Sequence, residues 1–387
     1  MSNPETISHF ATCPRGLEAL LSAELERLGA GTVKSVAGGV AFQADLRTCY
    51  RANLESRLAT RILRRLATMP YRNEQEIYDI ARALPWSRWF GASKSIRVDL
   101  NASRSPLKSL DFATLRIKDA ICDRFRDDTG GRPDVNTREP DIRVHAYLDA
   151  ANVTLYLDTS GEPLYKRGFR VQSVEAPLKE NLAAGIIALS GWQPEDTFLD
   201  PMCGGGTLLS EAAMIGLGIP PGAARGFGFE RLDDFDADTW KTVRDTALGA
   251  QNRERRLSIH GSDLHYREVE YARENLRAAG LGEVVQLKQA SATDLRAPSP
   301  QGVMVMNPPY GERIGEKAEL AALYPQLGDW MKRHFAGWRC YYFTGDPELP
   351  KGIRLKASKR TPLFNGAIEC RLFEYKIIAG SNRREKP

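Results

Sequence analysis

Two periods alternate along the first seventy residues. Between Gly16 and Gly29, Leu17, Leu20, Leu21, Leu25 and Leu28 recur every three or four positions with Glu18, Glu24, Glu26 and Arg27 between them. That spacing predicts one amphipathic helix, closed by Gly29. Residues 7–12 read as a strand before it, and 33–36 and 40–42 flank Gly38-Gly39 as a hairpin after it. A second helix is expected over about 46–58. Residues 61–69 fit either its continuation or a strand ending at Pro70, and the strand is favoured. The segment reads as a small α+β unit, 1–68.

The same reading gives a second α+β unit over 69–160. Residues 95–101 alternate as a strand, and 109–127 carry Leu110, Ala113, Leu115, Ile117, Ile121 and Phe125 along one helical side until Gly130-Gly131 stops them. Residues 142–148 and 153–159 alternate around Asp149-Ala150-Ala151-Asn152, a hairpin pattern. Behind Lys166 helices alternate with short apolar strands at 197–199, 258–261, 284–288, 303–306 and 338–344, the signature of a doubly wound α/β sheet.

Composition narrows the class. At 387 residues, two or three folded units are expected; 42% hydrophobic and 27% charged residues describe a globular chain rather than a disordered or membrane one. No run approaches the ~20 apolar residues of a membrane span, and residues 1–10 lack the pattern of a secretory signal, so a cytoplasmic location with no membrane partner is expected. The net charge of +5 is spread over both halves, so any nucleic-acid footprint is a local patch. Six cysteines without a CxxC and five histidines without a paired spacing suggest a reduced compartment and no metal site.

The candidate chemistry lies at strand ends. Phe198-Leu199-Asp200-Pro201-Met202-Cys203-Gly204-Gly205-Gly206-Thr207 joins a strand to an apolar helix over 208–217, and its glycines let the backbone approach a ligand. No Gly-Lys-Ser/Thr follows, which excludes a Walker A loop, and GxGxxG is absent. Asp263 ends the next strand, where a ribose diol is held in such sheets, and Asp294 follows the one after. Either Asp alone would read as a turn residue; their order behind the glycine loop favours a ligand.

The sharpest element is Val305-Met306-Asn307-Pro308-Pro309-Tyr310-Gly311. Consecutive prolines stiffen the backbone and donate no hydrogen bond, leaving carbonyl oxygens at the strand end to accept. The Asn307 side-chain oxygen and the Pro308 carbonyl suit the two protons of a planar exocyclic amine, with Tyr310 stacked on its ring.

The ordered set DPMCGGGT, Asp263, Asp294 and NPPYGERIG resembles the class I S-adenosylmethionine-dependent amino-methyltransferases. Residues 13–18 (CPRGLE) and 115–121 (LRIKDAI) resemble the ferredoxin-like plus THUMP front of RNA-modifying enzymes. Together they resemble the RlmL-type 23S rRNA guanine-N2 methyltransferases, in the form without a fused second methyltransferase domain. The resemblance implies an α/β chain with a ferredoxin-like domain over 1–68, a THUMP RNA-binding domain over 69–160 and a Rossmann-like class I methyltransferase domain over 161–387. Asp200 and Asp263 lie much further apart than the ~20 positions of a minimal fold, so an insertion is expected at about 218–256, including a helix over 237–250.

It further implies S-adenosylmethionine as cofactor, its methionine part on Asp200 and the Cys203, Gly204, Gly205, Gly206 and Thr207 backbone, its ribose on Asp263 beside Leu264, and its adenine amine on Asp294. Asn307, Pro308 and Tyr310 would be the catalytic set. The implied partner is RNA, either 23S rRNA or a ribosomal assembly intermediate, and not DNA; the oligomeric state stays open. A tRNA guanine-N2 methyltransferase and a non-catalytic ribosome-assembly factor are the alternatives. Read on a helix, Arg57, Arg61, Arg64 and Arg65 share a face that could track phosphates, and Lys351, Arg354, Lys356, Lys359 and Arg360 form a second basic stretch ahead of the tail Arg383-Arg384.

Overall fold

Strand pairing sorts the elements into two sheets, each seven-stranded, in the computed structural model of the chain. It describes residues 6–172, 178–308, 314–346 and 348–378, without the side chains of 314–320. One unit comprises residues up to Cys13, Glu18–Leu164 and Pro221–Ala247; the other comprises Pro14–Leu17, Tyr165–Pro220 and the chain from Leu248 on.

The first unit runs β1 (Ile7–Thr12), α1 (Glu18–Arg27), β2 (Gly31–Val36), β3 (Gly39–Ala44), α2 (Leu46–Glu55), β4 (Arg61–Pro70), α3 (Glu74–Ala83), β5 (Ile96–Ala102), α4 (Leu110–Thr129), β6 (Ile142–Leu148) and β7 (Asn152–Asp158). Local chemistry sets several boundaries. Asp45, Asn73 and Ser109 cap α2, α3 and α4 by accepting the Thr48, Glu76 and Phe112 amides, and Gly130 ends α4 in the left-handed region. Asp149 Oδ1 accepts the Ala151 and Asn152 amides and closes the β6–β7 hairpin. The sheet order is β2-β3-β1-β4-β7-β6-β5. β4 pairs with both β1 and β7, so the two α+β stretches expected from the sequence share one sheet.

Strand β4 corrects the shared helical face of Arg57, Arg61, Arg64 and Arg65. On a strand, successive side chains alternate between faces. Arg61 forms an ion pair with buried Asp158, and Arg64 one with Asp234. Arg65 donates to Ser8 Oγ at 2.7 Å. Two of the four guanidiniums are thus committed inside the unit, and no phosphate-tracking helical row exists there. Helix α3 has no counterpart among the sequence-based expectations, being rich in polar residues.

From Tyr165 the chain runs α5 (Glu180–Ser190), β8 (Thr197–Asp200), α6 (Thr207–Gly216), α7 (Ala237–Gly249), β9 (Ile259–Asp263), α8 (Tyr266–Ala278), β10 (Val285–Gln289), β11 (Gly302–Met306), α9 (Ile314–His334), β12 (Arg339–Thr344), α10 (Leu349–Gly352), β13 (Lys359–Asn365) and β14 (Ile368–Lys376), and all of these except most of α7 form the second unit. Its sheet order is β10-β9-β8-β11-β12-β14-β13, parallel from β10 to β12 and antiparallel beyond. β8 and β11 are buried at every position, as central strands covered on both faces must be.

Most of α7 belongs to the first unit, with the preceding part of the insertion. The Tyr50 ring stacks on Phe229 at 4.3 Å, Trp240 meets Phe227 and Phe229 edge-on at 5.5 and 5.1 Å, and the Asp236 amide donates to the Tyr50 hydroxyl at 3.0 Å. At Gly228 a Cβ would lie 2.7 Å from the Asp158 carbonyl, so only glycine permits this approach.

Candidate active site

The second sheet reverses direction between β8 and β11: from β8 the chain steps outward through β9 to β10, then returns to β11 on the other side of β8 and steps the opposite way to β12. Ligands of open α/β sheets bind at the carboxyl ends of the strands beside such a switch point. Leu199 pairs with Met304 in the β8–β11 register, so the glycine loop after Asp200 and the Asn307-Pro308 step after Met306 leave neighbouring strands at the same end.

The loop is held by its surroundings. The Cys203 amide donates to the Ser262 carbonyl at 2.9 Å, the Gly204 amide to Asp263 Oδ2 at 3.0 Å and the Gly206 amide to the Cys203 carbonyl at 2.8 Å. Gly204 and Gly206 have φ of 49° and 81°, and a Cβ on Gly206 would sit 3.1 Å from that of Ala272. Among the described residues this leaves the Gly205 amide as the glycine donor without a partner. The side chain of Asp263 also accepts the His265 amide at 3.0 Å through Oδ1.

Acidic side chains are crowded here. Burial, reinforced by Asp263, pushes the Asp200 carboxyl up to about 8 against the pull of the Met202 amide. Burial and the same two acids drive the Cys203 thiol well above its ordinary range, so it is no nucleophile. Burial and then Asp263 raise Glu268, whose Oε2 is buried without a hydrogen-bond partner and lies 4.0 Å from the point a Gly204 Cβ would occupy. A cradle of backbone amides, lined by acids with one orphaned carboxylate oxygen, fits a nucleoside that carries hydroxyls and positive charge.

The remaining residues fall around this loop. Leu264, 60% exposed, follows Asp263, and its carbonyl accepts from Gln289 Nε2 at 3.3 Å. Asp294 is exposed on the short turn Ala292–Asp294 beyond β10; Trp330 Nε1 holds that turn by donating to the Leu295 carbonyl at 2.8 Å. Asn307 is half-buried and Pro308 buried directly after β11. Tyr310 lies outside the described residues, as does the tail Arg383-Arg384. No group of three or more His, Cys, Asp or Glu suited to a metal ion occurs among the described residues, and every cysteine is a buried free thiol.

Other contributors carry no local signature. Arg167 forms a two-point ion pair with Glu211 on α6, at 2.9 and 3.2 Å, with both side chains fully enclosed. Arg170 donates to Thr207 Oγ1 at 2.6 Å and pairs with Glu180 at 3.0 Å. Asn275, on the buried face of α8, donates to the Gly205 carbonyl at 3.0 Å. Only Glu211 gives a hint in the sequence, as a lone acid inside an apolar helix.

Counted in chain order, the strands of this sheet lie 3-2-1-4-5-7-6. With a glycine loop after the first strand, acids after the second and third, and Asn-Pro after the fourth, they define the class I methyltransferase fold. The chain belongs to the RMKL-like methyltransferase family, whose domain matches residues 167–374; the THUMP domain matches 71–158 and the RlmL ferredoxin-like domain 8–63. It is 41% identical over 384 residues to the ribosomal RNA large subunit methyltransferase K/L of Syntrophotalea carbinolica, aligning 96% of this chain with 54% of that one. It is 39% identical to the protein of the same name from Photobacterium profundum, with 98% and 54% covered. The chain thus spans about half the length of these curated relatives. Among solved structures, SMU.472, assigned as a methyltransferase and crystallised with SAH, is 32% identical with a TM-score of 0.88, covering 98% of this chain and 100% of that one. A Listeria monocytogenes protein assigned as an N6-adenine-specific DNA methylase is 31% identical with a TM-score of 0.87, covering 96% and 97%.

Proposed function

We propose that the chain transfers a methyl group from S-adenosylmethionine to the exocyclic N2 amine of a guanine in 23S rRNA. The observation that carries this reading is the Asn307-Pro308 step beside the glycine loop, on adjacent strands of the switch point. The rRNA class rests on the THUMP match and on the names of the curated relatives.

Bound S-adenosylmethionine supplies an electrophilic methyl group on a sulfonium. Asp263 and Glu268 would accept from the ribose side, the Gly205 amide and the loop backbone would hold the methionine part beside Asp200, and Asp294 would accept from the adenine amine. The acid cluster around the loop, with Asp200 raised by burial, favours a cationic occupant. Asn307 Oδ1 and the Pro308 carbonyl accept the two amine protons and turn the nitrogen lone pair toward the methyl carbon, with Tyr310 stacking on the base. Alignment of this kind is worth up to ~7–11 kcal/mol. Transfer would form the nitrogen–carbon bond as the carbon–sulfur bond breaks, and the methylated nitrogen, then strongly acidic, would lose its proton to water. No dedicated base is needed.

A guanine in a helix cannot present its amine to this site, so the nucleotide is flipped or drawn from a melted segment, at a cost of a few kcal/mol. Lys351, Arg354, Lys356, Lys359 and Arg360 are all exposed on the second unit and suit phosphate contacts that offset this cost. The test is transfer of labelled methyl to unmodified 23S rRNA and tRNA transcripts side by side, with the labelled nucleosides identified by mass spectrometry. N2-methylguanosine from 23S rRNA is the expected product. Label in tRNA alone replaces the substrate, and label in neither, despite cofactor binding, replaces the reaction.

A further inference from the structure

The segment 165–172, which enters the second unit, is fastened to the glycine loop and the helix that follows it at three points. Arg167 reaches Glu211 on α6, Arg170 reaches Thr207 at the loop's end, and the third fastening is a single side chain. Asn275 Oδ1 accepts the Val171 and Gln172 amides at 3.0 and 2.9 Å, while its Nδ2 donates to the Gln172 carbonyl at 3.1 Å and the Gly205 carbonyl at 3.0 Å. All the hydrogen-bonding capacity that a carboxamide presents in its plane is therefore used, in a residue only 3% exposed. Asn275 touches neither Asp263 nor the Asn307-Pro308 step among its hydrogen bonds. What it holds is backbone: the Gly205 carbonyl of the loop and, in the entering segment, the Val171 and Gln172 amides with the Gln172 carbonyl.

The consequence follows from the loop's own bonding. The Gly205–Gly206 peptide is fixed at both ends, by Asn275 at the carbonyl and by the Cys203 carbonyl at the Gly206 amide. The preceding peptide is the one whose Gly205 amide remains for a ligand, and its orientation is set by these neighbours. Anything that orders the loop also orders Asn275, and through it the Val171 and Gln172 amides. We propose that Asn275 is a positioning residue that aligns the Gly205 amide for the cofactor and links cofactor binding to the order of segment 165–172. This rests on the glycine loop being the cofactor seat, as argued above.

Hydrogen exchange on the full chain reads the link directly, because two of the amides concerned donate to Asn275. In the wild type, S-adenosylhomocysteine is expected to slow exchange in peptides covering both 203–207 and 165–172. In Asn275→Ala, affinity by calorimetry should fall at least about tenfold, roughly 1.4 kcal/mol, and at saturating ligand the loop should gain protection while 165–172 does not. Asn275→Asp keeps the acceptor for both segment amides and loses the donor to Gly205. It should retain the protection of 165–172 in the free protein yet bind the ligand as weakly as the alanine variant. Protection of the wild-type loop without the segment overturns the link alone, whereas protection of neither overturns the cofactor seat with it. Wild-type affinity in Asn275→Ala, or loss of protection spread through β9 and β10, also overturns the proposal, the latter because it marks a merely structural role.

Discussion

Asp263 Oδ2 accepts the Gly204 amide at 3.0 Å, so the acid that ends β9 also anchors the loop that follows β8. One side chain is thereby placed to serve both the expected ribose and the backbone cradle. Asp263→Asn keeps the shape but replaces one accepting oxygen by a donor, breaking one of its two backbone bonds. A loss of about 1–3 kcal/mol is expected in S-adenosylhomocysteine binding, and a larger one for Asp263→Ala. Calorimetric affinities equal to wild type for both variants would remove Asp263 from the site.

Asn307 is expected to act on the reacting amine and not on the cofactor. Asn307→Ala should lower kcat by about 100-fold or more while changing cofactor affinity by less than about threefold, the pattern of an interaction used in the transition state. Steady-state rates beside direct binding measurements decide this. Near-normal turnover excludes the role.

The raised Asp200 carboxyl gives a pH dependence with a definite sign. Its folded value of about 8 stands above the ordinary 3.8. Between about pH 4 and 8 the folded chain keeps a proton that the unfolded chain has lost, so this group lowers stability as pH rises through that window. A cation seated nearby favours the ionised form, so S-adenosylmethionine binding at pH 7 should release protons. Calorimetry in buffers of different ionisation enthalpy should show the release in the wild type and lose it in Asp200→Asn. An identical buffer dependence in both would assign the proton elsewhere.

The Arg167–Glu211 pair is enclosed on both sides. Arg167→Met leaves Glu211 buried and uncompensated and should cost about 3–5 kcal/mol, whereas Arg167→Met with Glu211→Leu should recover much of the loss. Urea midpoints with unchanged slope would report this. Equal midpoints for the single and double variants would show that the lone charge is relieved by water.

The exposed Lys359 and Arg360 offer a separable surface. Replacing both by Glu should weaken RNA binding and flatten its salt dependence while leaving S-adenosylhomocysteine affinity unchanged. A salt slope equal to wild type would place the RNA elsewhere.

The order of chemistry is legible along the chain itself: the glycine loop, Asp263, Asp294 and Asn307-Pro308 each end or closely follow a short strand, a relationship confined to a few neighbouring residues. Helices α1 and α4 and the β6–β7 hairpin are equally plain, because period and turn residues agree there. Residues 61–70 are ambiguous on periodicity, since a short apolar run fits either period, and pairing with β1 and β7 makes them a strand. Only that pairing sends Arg61 to Asp158, and only packing gives the insertion around Phe229 to Tyr50 of the first unit. Arg167, Arg170 and Asn275 look like ordinary surface residues in the sequence, because their partners are dozens of positions away. Periodicity and turn chemistry arise from the geometry of adjacent residues and so can be read along the chain, whereas which buried polar group meets which is decided by the fold that removes both from water.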